Sequence, residues 1–371
     1  MSGVSVEHGA LRTLARTMLL AMGSEPAEAT IVSDHLVDAN LSGHDSHGVG
    51  LLPMYVRDRL AGNVTANLHP TLLRDDGVIG VFDAAFGFGH VAAREATVWG
   101  IAREQDKGVA IVSLRDAYHL ARVGTYGEQA CAAGLISIVF VNVVSTGLPK
   151  VAPFGGVDGR LQTNPICIGI PAGDDLPPFV LDFATSEIAM GKVRVAHNEG
   201  RRPRLGALMD SAGRPTDDPA VMFEAPFGAI LPFGAHKGSG LALACELLGG
   251  ALSGGPTNQT TAPRTGGVIN GLFAIFIDPA RFVELPYFHR EIAAILAHVK
   301  ASPPIDPEKP VLTAGEPERA RRRARIAGGV PLDATSWREI LAAARQAGVA
   351  DPEALIGHSV KPTAPPSSST S

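Results

Sequence analysis

The sequence predicts a mixed α/β fold in which a helical region precedes a longer region of strands and helices. Apolar residues recur at helical spacing from Ser5 to Leu60. From Leu72 the pattern changes to short apolar strands separated by helices. A chain of 371 residues is long enough for two domains or for one large one.

Three helices are predicted before the pattern changes. Their limits are 5–22, 24–41, with Ser24 as the cap, and 52–60. Between the second and third helices lies the polar stretch Gly43–Gly50, which holds two His, one Asp and one Ser between glycines. The glycines allow sharp turns, so we expect this stretch to form a corner of the helical region.

The central region is predicted to alternate strands and helices. The strands are 78–83, 109–114, 135–142, 166–170, 179–183 and 269–277, and the helices are 92–105, 124–133, 240–252 and 285–300. The helix over 240–252 is apolar nearly all round, which predicts that it is buried.

The last part of the chain returns to a helical pattern after the proline-rich segment that begins at Ser302. The basic run Arg319–Arg325 follows Glu316 and Glu318 at helical spacing, which favours a solvated helix face. A last helix is predicted over 337–347. Because three short helices make a thin core, we expect these helices to pack with the first ones. The predicted domains are 1–72 with 310–360, a central domain over 73–309, and a disordered tail over 361–371.

Composition excludes several classes of partner. The net charge of −5 gives no reason to expect a nucleic acid or an anionic membrane as a partner. The three cysteines are far apart and include no CxxC pair, which argues against disulfides and fits a reducing cytoplasm. No apolar run reaches the roughly 20 residues of a membrane span. Charged residues interrupt the start of the chain, so no signal peptide is expected and a soluble, cytoplasmic protein is predicted.

The stretch Gly43–Gly50 is the first candidate site. An imidazole such as that of His47 can exchange a proton near neutral pH, which is typical of general acid–base catalysis. The alternative is a polar turn that only caps the next helix. His44 and His47 could also form half of a metal site in a metal-dependent hydrolase, although no further ligand pair at familiar spacing accompanies them.

Three further stretches carry polar groups next to predicted strands or helix starts. In the loop Tyr118–Gly127, His119 is placed to polarise a carbonyl and Arg122 to bind a carboxylate. The strand ending at Asp182 is followed by residues that can cap a helix and hold ribose or phosphate oxygens. Lys237 lies between glycines at a helix start, which favours an anion ligand. For the first two stretches, polar groups that satisfy only one another are an equally simple interpretation.

A fourth stretch, Gly87–Ala92, matches the G-x-G-x-x-A dinucleotide fingerprint between a strand and a helix. A lone match of this kind is a weak signal, because glycine pairs are common in strand-to-helix turns.

Taken together and in order, these motifs resemble the malate/L-lactate dehydrogenase family, which also contains sulfolactate and ureidoglycolate dehydrogenases, diketogulonate reductase and a cyclic-imine reductase. The resemblance covers nearly all of the chain except its tail. The matching segments are Asp45–Gly50 with Pro53 and Tyr55, Gly108–Ala110 running to His119, Ala152–Gly156, Thr163–Pro165, Leu181–Ala184, Pro232–Gly240 and Gly315–Glu318.

The resemblance implies a homodimer with a helical domain built from both chain ends and a central mixed-sheet domain of non-Rossmann type. It implies NAD or NADP as cofactor, with NADH favoured, so the fingerprint at Gly87–Ala92 is expected to be a coincidence. The implied cofactor-binding residues are Val180, Leu181, Asp182, Phe183, Ala184, His236, Lys237, Gly315, Glu316 and Pro317.

The implied reaction transfers a hydride between the nicotinamide and a small 2-hydroxy or 2-oxo acid. His47 is the implied proton donor and acceptor, with Ser46 or Asp45 orienting it, and His119 is the second active-site histidine. Lys237 is expected to hold the cofactor or a substrate oxygen, and Arg122 and Tyr55 are substrate-binding candidates. The alternative reaction is reduction of a cyclic imine.

One position departs from the family pattern. Many relatives carry an arginine four residues after the motif histidine, where this chain has Leu51. The missing cation argues against a plain dicarboxylate such as malate as the substrate.

Overall fold

The computed structural model describes residues 3–145, 147, 150–174, 176–198, 200–259 and 266–362. The chain divides into two compact units. A helical unit combines the residues up to Asn67 with those from Glu318 onwards, and a sheet unit covers Leu68–Pro317. The nine residues from 363 to 371, which belong to the predicted tail, lie outside the described residues.

Within these residues the chain forms eleven α-helices and thirteen strands. The helices are α1 (His8–Ala21), α2 (Pro26–Leu41), α3 (Leu52–Leu60), α4 (Gly89–Lys107), α5 (Gly124–Ala132), α6 (Met190–Asn198), α7 (His236–Cys245), α8 (Leu285–Lys300), α9 (Glu316–Gly328), α10 (Ala334–Gln346) and α11 (Pro352–Ile356). The strands are β1 (Val4–Val6), β2 (Thr71–Asp75), β3 (Ile79–Asp83), β4 (Val109–Tyr118), β5 (Ile136–Ser145), β6 (Ile166–Ile170), β7 (Phe179–Phe183), β8 (Leu208–Met209), β9 (Pro215–Thr216), β10 (Ala229–Ile230), β11 (Val268–Ile277), β12 (Val330–Leu332) and β13 (Val360–Pro362).

The helical unit is built on the amphipathic face of α1. Leu11, Leu14 and Met18, spaced three and four residues apart, are almost completely buried. The Glu7 carboxylate accepts hydrogen bonds from two free N–H groups in the first turn of this helix, those of Gly9 and Ala10. These bonds, that from Gly9 foremost, hold the pKa of Glu7 below its ordinary value and stabilise the helix start.

A small antiparallel sheet joins the two ends of the chain in the helical unit. Its strand order is β12-β1-β13, so the first strand lies between the last two. Lys361 and Pro362 fall within the predicted disordered tail, but they are the last residues of β13. Three-residue strands are too short to show an alternating pattern in the sequence, so the sequence does not predict this sheet.

The sheet unit is organised around a seven-stranded mixed sheet. Its strand order is β2-β3-β4-β11-β5-β6-β7. Only the β3–β4 pair is parallel among the six pairs of this sheet, and the other five are antiparallel. The inner strands supply a core of small and branched side chains that includes Val112, Leu114, Val139, Leu272 and Phe276. The mixed α/β fold class predicted from the sequence is confirmed.

The helix over 240–252 differs from its prediction. It consists of α7 followed by a π-helical segment, Glu246–Leu252. Ala242 and Cys245 are fully buried, but Leu243, Leu247 and Leu252 are 51 %, 55 % and 60 % exposed. The prediction of burial on all sides was therefore wrong, because an apolar pattern shows which side chains avoid water and not what covers them.

Two further local features bear on the predictions. Ser24 does not cap α2; the N-cap is Glu25, and the Ser24 hydroxyl donates to Glu28 Oε1 at 2.6 Å instead. No helix in the described ranges is long and apolar enough to cross a membrane.

Candidate active site

His47 lies on a tight corner of the helical unit. Asp45–His47 and Val49–Leu51 each form one turn of 3-10 helix between α2 and α3. The backbone N–H of His47 donates to the carbonyl oxygen of His44 at 2.9 Å. The imidazole is half-buried, and its Nδ1 lies 3.1 Å from the Ser46 hydroxyl oxygen. The structure thus brings together the predicted proton donor and one of its two predicted orienting residues.

Asn40, near the end of α2, braces this corner from below. Its side chain is completely buried. The amide nitrogen donates to Asp45 Oδ1 at 2.7 Å, and the amide oxygen accepts from the backbone N–H of Val49 at 2.8 Å. A β-carbon on Gly48 would lie 2.1 Å from this amide oxygen, so the closeness of Asn40 requires glycine there.

Helix α9 braces the same corner from the other end of the chain. Arg325 binds the Asp45 carboxylate with both terminal nitrogens, at 2.7 and 2.9 Å, and also donates to the carbonyl oxygen of Asn40. Arg322, one turn earlier in α9, pairs with Asp38 at 3.1 Å. Glu318, a further turn earlier, lies 3.4 Å from the His44 imidazole.

The basic run of α9 is therefore not only a solvated face. The Arg325 side chain is 16 % exposed, because it turns toward α2 and the His47 corner. Of the two residues expected to orient His47, Ser46 is the one at hydrogen-bond distance. The Asp45 carboxylate is bound by Asn40 and Arg325.

His119 follows β4 in the sheet unit, in a loop fixed by buried polar groups. The backbone N–H of Leu120 donates to Asn270 Oδ1 at 2.9 Å, and the Tyr126 hydroxyl donates to the carbonyl oxygen of Leu120 at 2.8 Å. Two non-glycine residues beside His119 have left-handed backbones, Asp116 with φ 49° and Ala121 with φ 56°. Such strain persists only where surrounding structure enforces it, and it concentrates at functional sites.

Arg122 is placed differently from its prediction as a substrate ligand. Its side chain is only 2 % exposed, and its two terminal nitrogens bind the Glu128 carboxylate at 2.8 and 2.9 Å. Its Nε lies 3.8 Å from Asp182 Oδ2. Burial tends to lower the pKa of the guanidinium, but the bonds and charges of Glu128 and Asp182 raise it above its ordinary value. The structure thus assigns Arg122 to an internal ion pair.

Asp182 is a member of this internal cluster. Its Oδ2 accepts a hydrogen bond of 2.8 Å from the backbone N–H of Gly124, the first residue of α5. The carboxylate therefore caps a helix, and it is 10 % exposed. The other residues of the predicted cofactor segment, Val180–Ala184, belong to or follow β7, the edge strand of the large sheet.

The structure brings the segment after β7 together with the segment that contains Lys237. The backbone N–H of Phe233 donates to the Thr185 carbonyl oxygen at 3.1 Å, and the rings of Phe183 and Phe233 meet edge to face at 5.5 Å. His236 and Lys237 are the first two residues of α7, and both are exposed. An exposed cation at a helix N-terminus is a favourable place for a phosphate group.

The remaining predicted residues lie at two further places. Gly315, with φ 87°, precedes α9, and Glu316 accepts a hydrogen bond from the Thr313 backbone and pairs with Lys300. The contact with Lys300, followed by that with Thr313, holds the pKa of Glu316 below its ordinary value. Tyr55 is completely buried in the helical unit, a position that suits core packing rather than direct contact with a substrate.

Possible metal ligands and thiols were located in the part of the chain that the structure describes. Its residues include no group of three His, Cys, Asp or Glu side chains that could hold a metal ion. Cys131, Cys167 and Cys245 are buried free thiols. Burial foremost raises the pKa of Cys131 and of Cys245 to about 12, so neither is a thiolate near neutral pH.

Sequence reasoning missed three residues that hold these segments in place: Asn40, Asn270 and Arg325. An asparagine inside an apolar stretch was a usable signal for Asn40 and Asn270, since a buried amide needs partners. Arg325 gave no such signal, because it is the last of five arginines in one basic run.

Comparison with known proteins identifies the family of the chain. The family model described as malate/L-lactate dehydrogenase matches residues 6–341. Hydroxycarboxylate dehydrogenase B from Escherichia coli O157:H7 is 45 % identical over 350 residues, which cover 94 % of this chain and 96 % of that protein. An L-lactate dehydrogenase from Cupriavidus necator is 39 % identical over 344 residues, covering 92 % and 98 %.

The fold agrees as well. A solved E. coli structure assigned to the malate/lactate dehydrogenases superposes with a TM-score of 0.90 at 43 % identity, over 95 % of this chain and 98 % of that one. Family model, relatives and fold all cover nearly the whole chain. The chain belongs to the malate/L-lactate dehydrogenase family.

Proposed function

We propose that this protein is an NAD(P)-dependent dehydrogenase that interconverts a small 2-hydroxy acid and its 2-oxo acid. Family membership supports the class of reaction. The assignment of roles rests on the position of the His47 imidazole. It lies beside the Ser46 hydroxyl, on a turn that Asn40 and Arg325 hold through hydrogen bonds to Asp45.

His47 is the proposed proton donor in the direction of reduction. A carbonyl that accepts a hydride becomes an alkoxide, and a protonated imidazole removes that charge as it forms. A positioned general acid of this kind contributes about 10²–10⁴-fold to the rate. The Ser46 hydroxyl can accept a hydrogen bond from protonated Nδ1 and donate one to the neutral ring. It can therefore hold the imidazole in one orientation through both steps.

His119 is proposed to bind the carbonyl oxygen of the substrate. A hydrogen bond to this oxygen becomes stronger as negative charge develops on it, so it favours the transition state over the ground state. The rigid backbone around His119, tied to Asn270 through Leu120, supports this role because a loose loop would lose the benefit of orientation.

The cofactor is proposed to be held by the segment after β7, by His236 and Lys237, and by Gly315–Pro317. The donor set fits a nicotinamide nucleotide, since α7 begins with an exposed lysine and histidine where a phosphate is favoured. When bound, the nicotinamide ring supplies or accepts the hydride. We propose NADH as the preferred form. Lys237 would contribute positive charge, and Asp182 would fix the backbone of its strand through Gly124.

A monocarboxylic 2-oxo acid is the proposed substrate class. Leu51 ends the second short turn of the His47 corner and provides no cation for a second carboxylate. We do not propose Arg122 as the carboxylate ligand, because Glu128 binds both terminal nitrogens of its guanidinium. The name of the C. necator relative, an L-lactate dehydrogenase, agrees with a small monocarboxylate.

We also propose a homodimer in the cytoplasm. Helix α8 contains Leu285, Ile295 and Val299 on one face, yet none of its sixteen residues is buried. An amphipathic helix with an uncovered apolar face is expected to pack against a second copy of the chain. Three free thiols support a reducing compartment. Light scattering of the wild type and of Ile295→Asp tests this proposal. The expected mass is that of two chains for the wild type and that of one chain for Ile295→Asp.

The test of the proposed reaction is a continuous absorbance assay of the purified protein with NADH and with NADPH. The substrate panel is pyruvate, a bulkier monocarboxylic 2-oxo acid, oxaloacetate, sulfopyruvate and a cyclic imine. We expect turnover of a 2-oxo acid by the wild type, and a kcat that is lower by about 10²-fold or more in His47→Gln. A metal chelator is included and is expected to leave the rate unchanged.

Three outcomes would change the proposal. Turnover of the cyclic imine alone would move the protein to imine reduction, in which the substrate arrives already protonated. Loss of all activity with the chelator would favour the metal-dependent alternative. Normal kcat in His47→Gln together with loss of activity in His119→Gln would exchange the two histidine roles.

A further inference from the structure

We propose that Arg325 is a positioning residue for the proton-transferring histidine. The inference rests on the proposed role of His47 and goes one step beyond it. Arg325 fixes the Asp45 side of the turn that carries His47, although the two ion-pair partners lie 280 residues apart in the chain. Arg325, in the last turn of α9, would thereby contribute to catalysis without contact with substrate or cofactor.

Hydrogen bonds rather than packing hold the turn that carries His47. None of the three residues Asp45, Ser46 and His47 is buried. A side chain that is not buried keeps a fixed position only if hydrogen bonds or ion pairs hold the backbone segment that carries it. Besides the bonds within the turn itself, Asn40 and Arg325 supply side-chain bonds that tie it to α2 and α9.

Arg325 is suited to fix a direction as well as a distance. Its two terminal nitrogens bind the two carboxylate oxygens of Asp45 in parallel, and Nη1 also donates to the Asn40 carbonyl oxygen. A bidentate pair of this kind restricts rotation, which a single contact does not. The Arg325 side chain is 16 % exposed and that of Asp45 is 41 % exposed, so the pair is partly open to solvent and its contribution lies in orientation rather than in a large Coulomb energy.

Arg325 and Asn40 both donate hydrogen bonds to Asp45 Oδ1, so the two side chains and Asp45 form one connected network. Asn40 donates to Asp45 Oδ1 and accepts from Val49, so it spans the turn from its beginning to its end. If Arg325 is removed, Asn40 alone has to retain Asp45, and the carboxylate regains rotational freedom. A shift of about 1 Å at the imidazole is enough to cost about 10²-fold in rate.

The experiment compares Arg325→Ala with Arg322→Ala. Arg322 lies on the same face of α9, one turn earlier, and pairs with Asp38 of α2 rather than with the turn. Both variants lose an arginine ion pair that α9 makes with this part of the helical unit. Because Arg322 is more exposed than Arg325, at 41 % against 16 %, the activities are compared at a temperature well below both thermal midpoints. Three quantities are measured for each: the thermal midpoint, kcat and KM with the best 2-oxo acid, and amide hydrogen exchange.

The expected result has two parts. Hydrogen exchange of the His47 and Val49 amides, which donate to His44 and Asn40, rises in Arg325→Ala and stays at the wild-type level in Arg322→Ala. The kcat of Arg325→Ala falls about 10- to 100-fold with little change in the cofactor KM. Added guanidinium ion restores part of this kcat, because it can occupy the space left by the truncated side chain.

The outcomes separate this inference from the proposed function. Unchanged exchange at both amides in Arg325→Ala overturns the inference whatever the activity. Faster exchange with wild-type kcat also overturns it, because the turn would then be ordered for stability alone. If the wild type reduces no substrate while exchange still rises selectively, the proposed function fails and the bracing of the turn is retained.

Discussion

Gly89 touches the backbone of Tyr118 so closely that no other residue fits. A β-carbon on Gly89 would lie 2.0 Å from the Tyr118 carbonyl oxygen and 2.7 Å from that of His119. Gly89 is the second glycine of the stretch that matches the dinucleotide fingerprint. Here this glycine lets α4 approach the end of β4, which supports the expectation that the fingerprint is a coincidence.

Gly89→Ala is therefore expected to damage both stability and activity. The added methyl group must push the His119 segment away from α4, and overpacking of this kind costs about 1–3 kcal/mol. Thermal unfolding is expected to show a lower midpoint. The fold-decrease in kcat is expected to be larger than the fold-increase in the Kd of the cofactor.

Gly328→Ala is the matched control for this substitution. Gly328 is the last residue of α9, and a β-carbon there would have no neighbour within 4 Å. Because alanine favours a helix over glycine, we expect an unchanged or slightly higher midpoint. The contrary result would be a Gly89→Ala variant that no longer binds the cofactor but keeps the wild-type thermal midpoint and the wild-type position of His119. Gly89 would then contact the cofactor rather than allow the close approach of α4 to β4.

Arg122→Met separates an internal ion pair from a substrate ligand. Removal of the guanidinium leaves the buried Asp182 carboxylate without its cation, and breaking a buried pair costs about 3–5 kcal/mol. The loss from the Glu128 pair is smaller, because the Glu128 side chain is 45 % exposed and water can solvate it. The midpoint of denaturant unfolding is expected to fall clearly. For the folded fraction, KM for the 2-oxo acid is expected to stay close to the wild-type value. A KM raised by two orders of magnitude, together with unchanged stability, would restore Arg122 as the substrate ligand.

Asp116 makes stability depend on pH in a direction opposite to that of most carboxylates. Burial, followed by the nearby charge of Asp83, raises the pKa of Asp116 above its ordinary value, although Arg115 opposes this. The folded protein therefore binds this proton more tightly than the unfolded chain does. Its contribution to stability is fully present below the ordinary pKa and is lost as pH rises through the raised one.

Asp116→Asn is expected to raise the thermal midpoint near pH 7. The gain is expected to shrink as pH falls through the raised pKa of Asp116 and to be smallest below the ordinary pKa of an aspartate. A small part of the gain remains at every pH, because asparagine tolerates the left-handed backbone at this position.

Asp210→Asn serves as a control with the opposite sign. A hydrogen bond from the Arg214 backbone, first among several contacts, lowers the pKa of Asp210. This variant is expected to lose stability near neutral pH and to match the wild type in acid. Equal pH dependence of the two variants would refute the assignment for Asp116.

Leu51→Arg tests the substrate class. A guanidinium at this position can pair with a second carboxylate, so we expect the preference for oxaloacetate over pyruvate to rise about tenfold, which corresponds to about 1.4 kcal/mol. The measurement is the ratio of kcat/KM values for the two acids. Leu51→Met keeps the side chain apolar and is expected to leave the ratio unchanged. An unchanged ratio in Leu51→Arg would mean that the residue does not face the substrate.

Much of the architecture was readable from the sequence because its signals are local. The strands Ile166–Ile170 and Phe179–Phe183 and the helix Leu285–Lys300 have the predicted limits, since each is one periodic run between clear breaks. The His47 stretch was found because titratable residues between glycines are conspicuous in any chain.

The rest depends on contacts between distant parts of the chain. Arg325 looks like its neighbours in a basic run, and only the folded chain shows which arginine reaches Asp45. The burial of Arg122 has the same cause, since Glu128 is close in sequence but Asp182 comes from a distant strand. The local pattern of apolar and polar residues predicts which helices and strands form. The partner of each charged side chain depends on which distant segments the fold brings together.

The position of β1 between β12 and β13 also sets an order of events during synthesis. At a translation rate of about 5–20 residues per second, the first helices wait on the order of 10 to 50 seconds for their C-terminal partners to leave the ribosome. The sheet unit is complete before those partners are made, since it is one continuous segment. The His47 corner is thus among the last parts of the nascent chain to mature, because its brace Arg325 emerges near the end.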